Sequence, residues 1–584
     1  MSLTLALRSA LSGLQYNQTA LQVTSNNIAN VNTDGYSRKS VRALTQLVAG
    51  VGAGVLPSGI SRTVDYNLLR DMRTQQAALG QFRVADEFLT RTQDLFGSPE
   101  SSTSLTSNLA TLGQRMDALA TAPEDVAKRR QVIDAATMLT RQLNDMAGTL
   151  QSLRTTADAN ITDSVKTINT ELAKIEALNN DISRNKASSL PTADLEDQRD
   201  NAINKIAEQI DITYFFRDTG EVVIQTAAGG TLVDGPASTL THTSSGALSA
   251  GVTYPGGIDG IALNGVDITT TLRSGRLKGL IDMRDKTLVD INSQIDELAL
   301  QIRDSVNAVH NDGSSVPPAN TLTGTLTVAG ADPFAGTGKV RIAVVDANGN
   351  AVTDPFELDL TTVSTVTDVV NAISAGLGSA ASVSVTANGV LEIKATNATN
   401  GIAINELDSK VTADGRGFSH HFGLNDFFVG SATPSLASQI AVRTDLVANP
   451  QLVSRGELNP GPFGPGDNAV AAGDNTVVQR IADVLNGTAS FSAAGGFPAL
   501  TVSFADYSGQ ILGANASDSA SAADTVAFRE KLAQDLTFRV SSVSGVNVDE
   551  ELANLTVLQN AYAASARVVS VISNMMDTLN QVAR

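Results

Sequence analysis

The sequence predicts an α+β multidomain chain: a terminal α-helical coiled coil, a helical-bundle inner domain, and β-rich outer domains inserted into it. Three observations carry this prediction. Apolar residues recur every seven positions at both extremes of the 584-residue chain. Stripes with spacings of three and four fill much of 66–310. Between 313 and 410, Thr, Val, Gly and Ala dominate, and Asn-Gly pairs sit between alternating apolar runs.

The first segment, residues 1–31, carries Leu7, Leu14, Leu21 and Ile28 seven apart, with Leu3 and Leu11 beside them. Asn, Gln, Ser and Thr fill the gaps, giving an apolar seam on a neutral polar body. An ordinary amphipathic helix on a globular core would read the same way. The other extreme answers it: Val548, Leu555, Tyr562, Val569, Met576 and Ala583 are seven apart, interleaved with Leu558, Ser565, Ile572 and Leu579. As helices, 3–31 and 549–584 would be about 43 and 54 Å long at 1.5 Å per residue. A single pair buries each seam on one side only, so these ends are expected to order fully among identical copies.

The inner helices are expected over 66–96, 105–120, 124–185 and 276–310. Val165, Ile168, Leu172, Ile175, Leu178 and Ile182 form the clearest stripe. Pro123 is expected at the start of the longest helix, where its missing N–H costs nothing. Short strands are expected within 212–270, around Asp218-Thr219-Gly220. Asn348-Gly349 and Asn388-Gly389 signal hairpins with type I′ turns. Residues 429–525 are low in charge and rich in Gly, Ala, Ser and Pro, and no element is assigned there except a loop at 459–466. The resulting divisions are 1–60 with 540–584 as the coiled-coil domain, and 61–310 with 526–539 as the inner domain, with a β subdomain near 212–270. Residues 313–525 form the variable outer region, with 313–410 an insertion.

Composition excludes several functions. Lys plus Arg number 41 against 60 Asp plus Glu, a net charge of −19, and no basic footprint for nucleic acid or an anionic membrane stands out. Cys and Trp are absent, so disulfides, thiolate metal ligands and a Cys nucleophile are ruled out. No run approaches a membrane span, and Arg8 interrupts the apolar stretch of a beginning that lacks a basic leader region. If the protein is exported, it is expected to keep its first residues.

Residues 26–38, NNIANVNTDGYSR, are the most unusual stretch. As a ligand site they lack convergent carboxylates. As a helix cap, Asn and Gly suit the left-handed conformation. As a joint, Asn26, Asn27 and Asn30 can donate and accept hydrogen bonds between subunits, while Gly35 turns the chain and Tyr36 offers apolar area with a polar tip. Elsewhere, His420-His421 beside Asp414 and Asp426 suggests a metal, but adjacent histidines diverge, and Phe422, Phe427 and Phe428 point to a packed anchor. Asp346–Asn350 vaguely evokes a calcium loop, with its Gly misplaced. There is no phosphate loop, nucleophile elbow or dinucleotide fingerprint. No catalytic, cofactor-binding or metal residue is predicted.

The run ALSGLQYNQTALQVTSNNIANVNTDGYSR resembles the signature of the axial proteins of the bacterial flagellum, the rod, hook and hook-associated proteins. Gly35-Tyr36-Ser37-Arg38 and the run SGVNVDEELANLTVLQNAYAASARVVSVISNMMDTL are similar to the hook-associated members. So in character are LEDQRDNAINKIAEQIDI, GRLKGLIDMRDKTLVDINSQIDELA and FGLNDFF. The resemblance covers about 1–310 and, patchily, 415–584. It departs at Ser573–Met576, where a more acidic run is usual.

The resemblance implies a structural subunit at the hook–filament junction, exported unfolded by a type III route and folding on assembly. The implied partners are further copies in a ring or tube, the flagellar hook protein, the second hook–filament junction protein and an export chaperone on the C-terminal helix. The assembly residues are expected to be Leu7, Leu14, Leu21, Asn26, Asn27, Ile28, Asn30, Gly35, Tyr36, Leu555, Leu558, Tyr562, Val569, Ile572, Met576 and Leu579. Two other readings stay open: another axial protein such as the hook subunit, and a secreted β-rich adhesin binding through 313–525. A metal-dependent hydrolase using His420 or His421 is a further one.

Overall fold

The computed structural model describes residues 3–48, 51–97 and 104–582. Helix α1 (Leu3–Ala29) leads into a long antiparallel hairpin, β1 (Lys39–Val48) and β2 (Val51–Arg62). The inner layer follows: α2 (Tyr66–Phe96), α3 (Leu105–Ala120), the 62-residue α4 (Val126–Ala187) and α5 (Ala193–Gln209). Side chains fix the starts. Asp65, Ser104 and Asp125 each accept from backbone N–H groups of the first turn. Pro123 therefore lies outside α4, two residues before its cap. Its carbonyl instead accepts from the Arg129 guanidinium at 2.9 and 2.7 Å.

Strands β3 (Ile212–Phe216), β4 (Val222–Thr226) and β5 (Thr231–Val233) form one small sheet, and β6 (Leu240–Thr241), β7 (Ala262–Leu263) and β8 (Val266–Asp267) another. The predicted helix over 276–310 is present but interrupted. Helix α6 (Arg276–Asp282) passes through a π turn at Met283–Thr287 into α7 (Leu288–His310). The apolar spacing shows why: Leu280, Met283, Leu288 and Ile291 step by three, five and three. A step of five keeps one face on the core only if an extra residue is looped into the helix.

The outer domain has its own core, from Leu322 to Leu424. Two three-stranded antiparallel sheets build it. One orders β9 (Thr321–Thr327) beside β14 (Val390–Ala395) and β13 (Ala381–Val385). The other orders β12 (Phe356–Asp359), β11 (Lys339–Val345) and β15 (Gly401–Asn405). A short pair, β10 (Gly336–Thr337) with β16 (Lys410–Val411), closes one side, and α8 (Val366–Leu377) packs across β12 and β13. Helix α9 (Phe418–Phe422) brings the chain back.

The hairpin turns differ from the type I′ expectation. Only the glycine of each pair has positive φ, Gly349 at 86° and Gly389 at 76°. Both loops span four residues and close with the glycine N–H donating three residues back, to Asp346 and Thr386. The loop Arg217–Gly220 repeats this form. A type I turn ended by a left-handed Gly needs no positive φ from Asn, and that relieves the strain a two-residue loop would impose.

The expectation of a β-rich region reaching residue 525 is corrected. After α9, α10 (Thr444–Ala448) and α11 (Thr476–Asn486), the chain enters α12 (Phe504–Ser544), a 41-residue helix. Phe427, Phe428, Val477, Ile481, Phe491 and Tyr507 are buried in the same core as α2–α7. The return segment thus belongs with the helical layer. Gly, Ala and Ser in the first half of α12 leave too faint a stripe to reveal it. Helix α13 (Val548–Val582) completes the chain beside α1.

Candidate assembly joint

The two ends meet as an antiparallel pair. Asn27 bonds Glu551, and Gly13 lies against Ser565, where a Cβ on the glycine would sit 3.6 Å from the serine hydroxyl. The seam predicted on α13 faces α1 only in part. Ile572 is buried; Leu555, Leu558, Val569 and Met576 are half-buried; Tyr562 and Leu579 are exposed. On α1, Leu7, Leu14, Leu21 and Ile28 are all half-buried. The fully buried positions there are Asn17, Ala20, Val23, Thr24 and Asn27, packed under β1 and β2.

A second seam, one position back along α13, faces away. Val557, Val568, Val571, Met575 and Val582 are exposed, Val557 at 65% and Val582 at 83%. They follow one another at spacings of eleven, three, four and seven, about 100 degrees around the helix from the seam that faces α1. Sequence reasoning missed this stripe because it followed one heptad frame.

Residues 27–39 form a clasp whose polar side chains tie the end of α1 to α5 and α13. The Asn27 amide donates to the Lys39 carbonyl at 2.9 Å and to Glu551, while its oxygen accepts from the Lys39 N–H and the Tyr36 hydroxyl. Asn30 donates to the Asn26 carbonyl, capping α1, and Asn26 itself is exposed. Asn27 and Asn30 are thus engaged within the chain, because the helix ends here and leaves carbonyls to satisfy. Gly35 has φ 72°, and a Cβ there would come 1.9 Å from the Asn201 side chain. Ser37 donates to Asp197 at 2.6 Å, Arg38 to Glu551 at 2.8 Å, and the Arg38 N–H to the Ser544 carbonyl.

Behind this lies an ionic cluster. Lys39 meets Asp194 and Asp197, while Arg62 meets Glu196, Asp197 and Asp200. Arg73 adds a bond to Asp200 at 3.0 Å. Burial opposes the Asp200 charge, yet the guanidiniums of Arg73 and Arg62 hold its carboxyl below its usual range. Burial likewise opposes the Arg62 charge and is outweighed by Asp200 and Asp197. The run LEDQRD, on α5, is therefore the partner of GYSRK. A cavity of about 310 Å³ lies between this cluster and the apolar wall of Val64, Leu69, Met72 and Val540.

The other sequence candidates resolve differently. The Asp346 carboxylate is used by the N–H groups of Asn348 and Asn350, and Glu357 by Arg341. His421 Nδ1 donates to the Asp414 carboxylate at 2.9 Å, while the adjacent His420 is buried and, among the described residues, makes no bond to it. Among the described residues no group of three or more His, Asp or Glu is placed to hold a metal, and no helix is long and apolar enough to cross a membrane.

Three family models match, and they fall on the elements just described. "Flagella basal body rod protein" matches residues 7–36, "Flagellar hook-associated protein FlgK helical domain" residues 89–324, and "Flagellar basal body rod FlgEFG protein C-terminal" residues 540–582. Flagellar hook-associated protein 1 of Salmonella typhimurium is 26% identical over 590 residues, covering 98% of each chain. The chain is similar along nearly its whole length to flagellar hook-associated protein 1. The Escherichia coli member is 25% identical over 98% of each chain, and that of Bacillus subtilis 23% over 53% of this chain and 67% of its own. The hook junction protein FlgK from Burkholderia pseudomallei superposes with a TM-score of 0.45 at 15% identity, covering 80% of this chain and 99% of that one. The two matched terminal segments are the α1 and α13 ends that the clasp joins.

Proposed function

We propose that this chain is a structural, non-catalytic subunit of the bacterial flagellum, seated outside the cell where hook and filament join. The observation that carries the reading is the doubled seam of α13. One seam is partly covered by α1, and the other is open along a helix that matches the C-terminal model of the flagellar basal body rod FlgEFG proteins. An exposed apolar stripe of this length demands a cover. Copies arranged around a tube supply it, each lending its α1–α13 pair to the next. Before assembly, the same stripe suits an export chaperone. The clasp and the ionic cluster then hold the coiled-coil pair at a set angle to the helical layer, so that subunits stack on the hook protein below and receive the second junction protein above.

The test is deletion of the gene with imaging of the cells. Hooks without filaments, with flagellin shed to the medium, are expected, and complementation restores filaments. Normal filaments on the deleted strain would overturn the reading.

A further inference from the structure

We propose that the cleft between α7 and the outer domain is a binding site for a single carboxylate group. The cleft has a volume of about 410 Å³ and is walled by Arg303, Asp304 and Asn307 on one side and by Arg416, His420 and Thr325 on the other. It sits where the chain passes between the helical layer and the outer domain.

The two guanidiniums are held side by side. Each oxygen of Asp304 takes one of them, Arg303 Nε at 2.7 Å and Arg416 Nη2 at 2.7 Å. Arg303 Nη1 donates to the Gly430 carbonyl at 2.9 Å. Among the described residues, Arg303 Nη2 and Arg416 Nη1 make no hydrogen bond. His420 lines the same cleft, is 8% exposed, and its ring makes no hydrogen bond, ion pair or ring contact among the described residues.

The surrounding charges fix the ligand's sign and size. Burial, then Arg416, keep the His420 imidazole neutral, with its pKa pushed down to about 4, while Asp304 and Asp414 oppose and Arg303 reinforces. Asp414 is engaged by His421 and faces Arg416. Asp426 is satisfied by Asn311 and Thr325, and burial raises its carboxyl toward the neutral form. Arg303 and Arg416 face Asp304, and Asp414 stands 4.0 Å from Arg416 while shared with His421, so the open guanidinium donors suit a group with one negative charge better than one with two. A planar carboxylate matches the forked donors and leaves the imidazole to donate from the side. A doubly charged phosphate would stand against Asp304 and Asp414 together.

The four histidines make the test direct, since His242 and His310 lie elsewhere and serve as internal references. The full-length chain, labelled at histidine, is titrated with succinate and followed by NMR. Saturable movement of the His420 signals at millimolar succinate is expected, with the His420 titration shifted to higher pH. Arg416→Gln should weaken binding about tenfold or more, as one charge-assisted bond is lost. Arg416→Lys, which keeps the charge and the fold, should also weaken it. A dissolved acid and an acidic side chain of a second copy are then told apart in assembled protein without succinate. There, a raised His420 titration marks a neighbour's carboxylate, and an unchanged one marks a dissolved ligand. Absence of saturable movement at His420 in monomer, equal binding by Arg416→Gln, or tighter binding of inorganic phosphate than of succinate would each overturn the proposal.

Discussion

The side-chain amide of Asn27 donates to the Glu551 carboxylate across 3.0 Å, joining residues 524 positions apart. Three further bonds converge on the same amide, so one side chain fastens the end of α1, the start of the hairpin and the first turn of α13. Asn27→Ala leaves the buried Lys39 backbone groups unpaired, at a cost of about 2 kcal/mol. Amide exchange in the first turns of α13 should quicken on the order of thirtyfold, while the core of α4 is unchanged. Equal protection in both proteins would refute the clasp.

The ionic cluster should behave as one unit. Asp200→Asn leaves Arg62 and Arg73 buried beside a neutral amide, and breaking such a pair costs about 3–5 kcal/mol. The carboxyl is held below its ordinary range, so its stabilisation is full above about pH 4 and is lost as pH falls further. The parent should therefore lose stability in acid more steeply than Asp200→Asn. Parallel acid profiles, read by thermal unfolding, would count against it.

Gly35 faces two constraints at once, a left-handed φ and the Asn201 side chain. Gly35→Ala is expected to destabilise the joint by about 1–2 kcal/mol or more. Adding Asn201→Ala removes the collision but not the backbone strain. The double variant should recover part of the loss, and full recovery would mean that φ is unimportant there.

Two buried groups near the outer domain give opposite pH dependence. Burial holds His310 neutral, with its pKa near 4, so its contribution is full above about pH 6.5 and fades as pH falls toward 4. Burial, with Asp312, raises Glu406 to about 7, so its contribution is full below about pH 4.5 and lost as pH rises through 7. Glu406→Gln should accordingly gain stability on the parent at pH 8 and lose that gain at pH 5. Denaturant midpoints at the two pH values decide it.

Neighbouring residues on α13 should fail differently. Ile572→Asp places a charge in the covered seam and should unseat α13 from α1 in the monomer. Val571→Asp lies on the open stripe and should leave monomer unfolding within about 0.5 kcal/mol of the parent. Both should block incorporation into the axial structure. Incorporation of Val571→Asp would show that the open stripe has no neighbour.

The long helices were legible because their apolar stripes are strong and their caps are Asp or Ser followed by a clean run. The π turn was written in the five-residue step between Met283 and Leu288, which only a count of spacings exposes. Helix α12 was hidden by Ala, Gly and Ser, whose small side chains pack closely against α2 without marking a face. Of the joint, the Asn-rich stretch and Gly35 stood out locally. Their partners did not, since Asp197, Asp200 and Glu551 are ordinary acids on ordinary helices until the fold brings them to Ser37, Arg62 and Arg38. The acids at 194, 197 and 200, spaced by three, were the available signal, opposite a stretch from 35 to 64 with no acid at all.

The clasp also keeps time. Its contributing segments appear in turn as the chain is synthesised from its first residue, and the last of them, around Glu551, comes after both cores have their full sequence. A copy stopping short of that carboxylate can build its bodies but has no means of latching them to α1. Closure of the latch thus reports that synthesis has reached α13, and copies cut short of it are left with an α1 that lacks its partner helix.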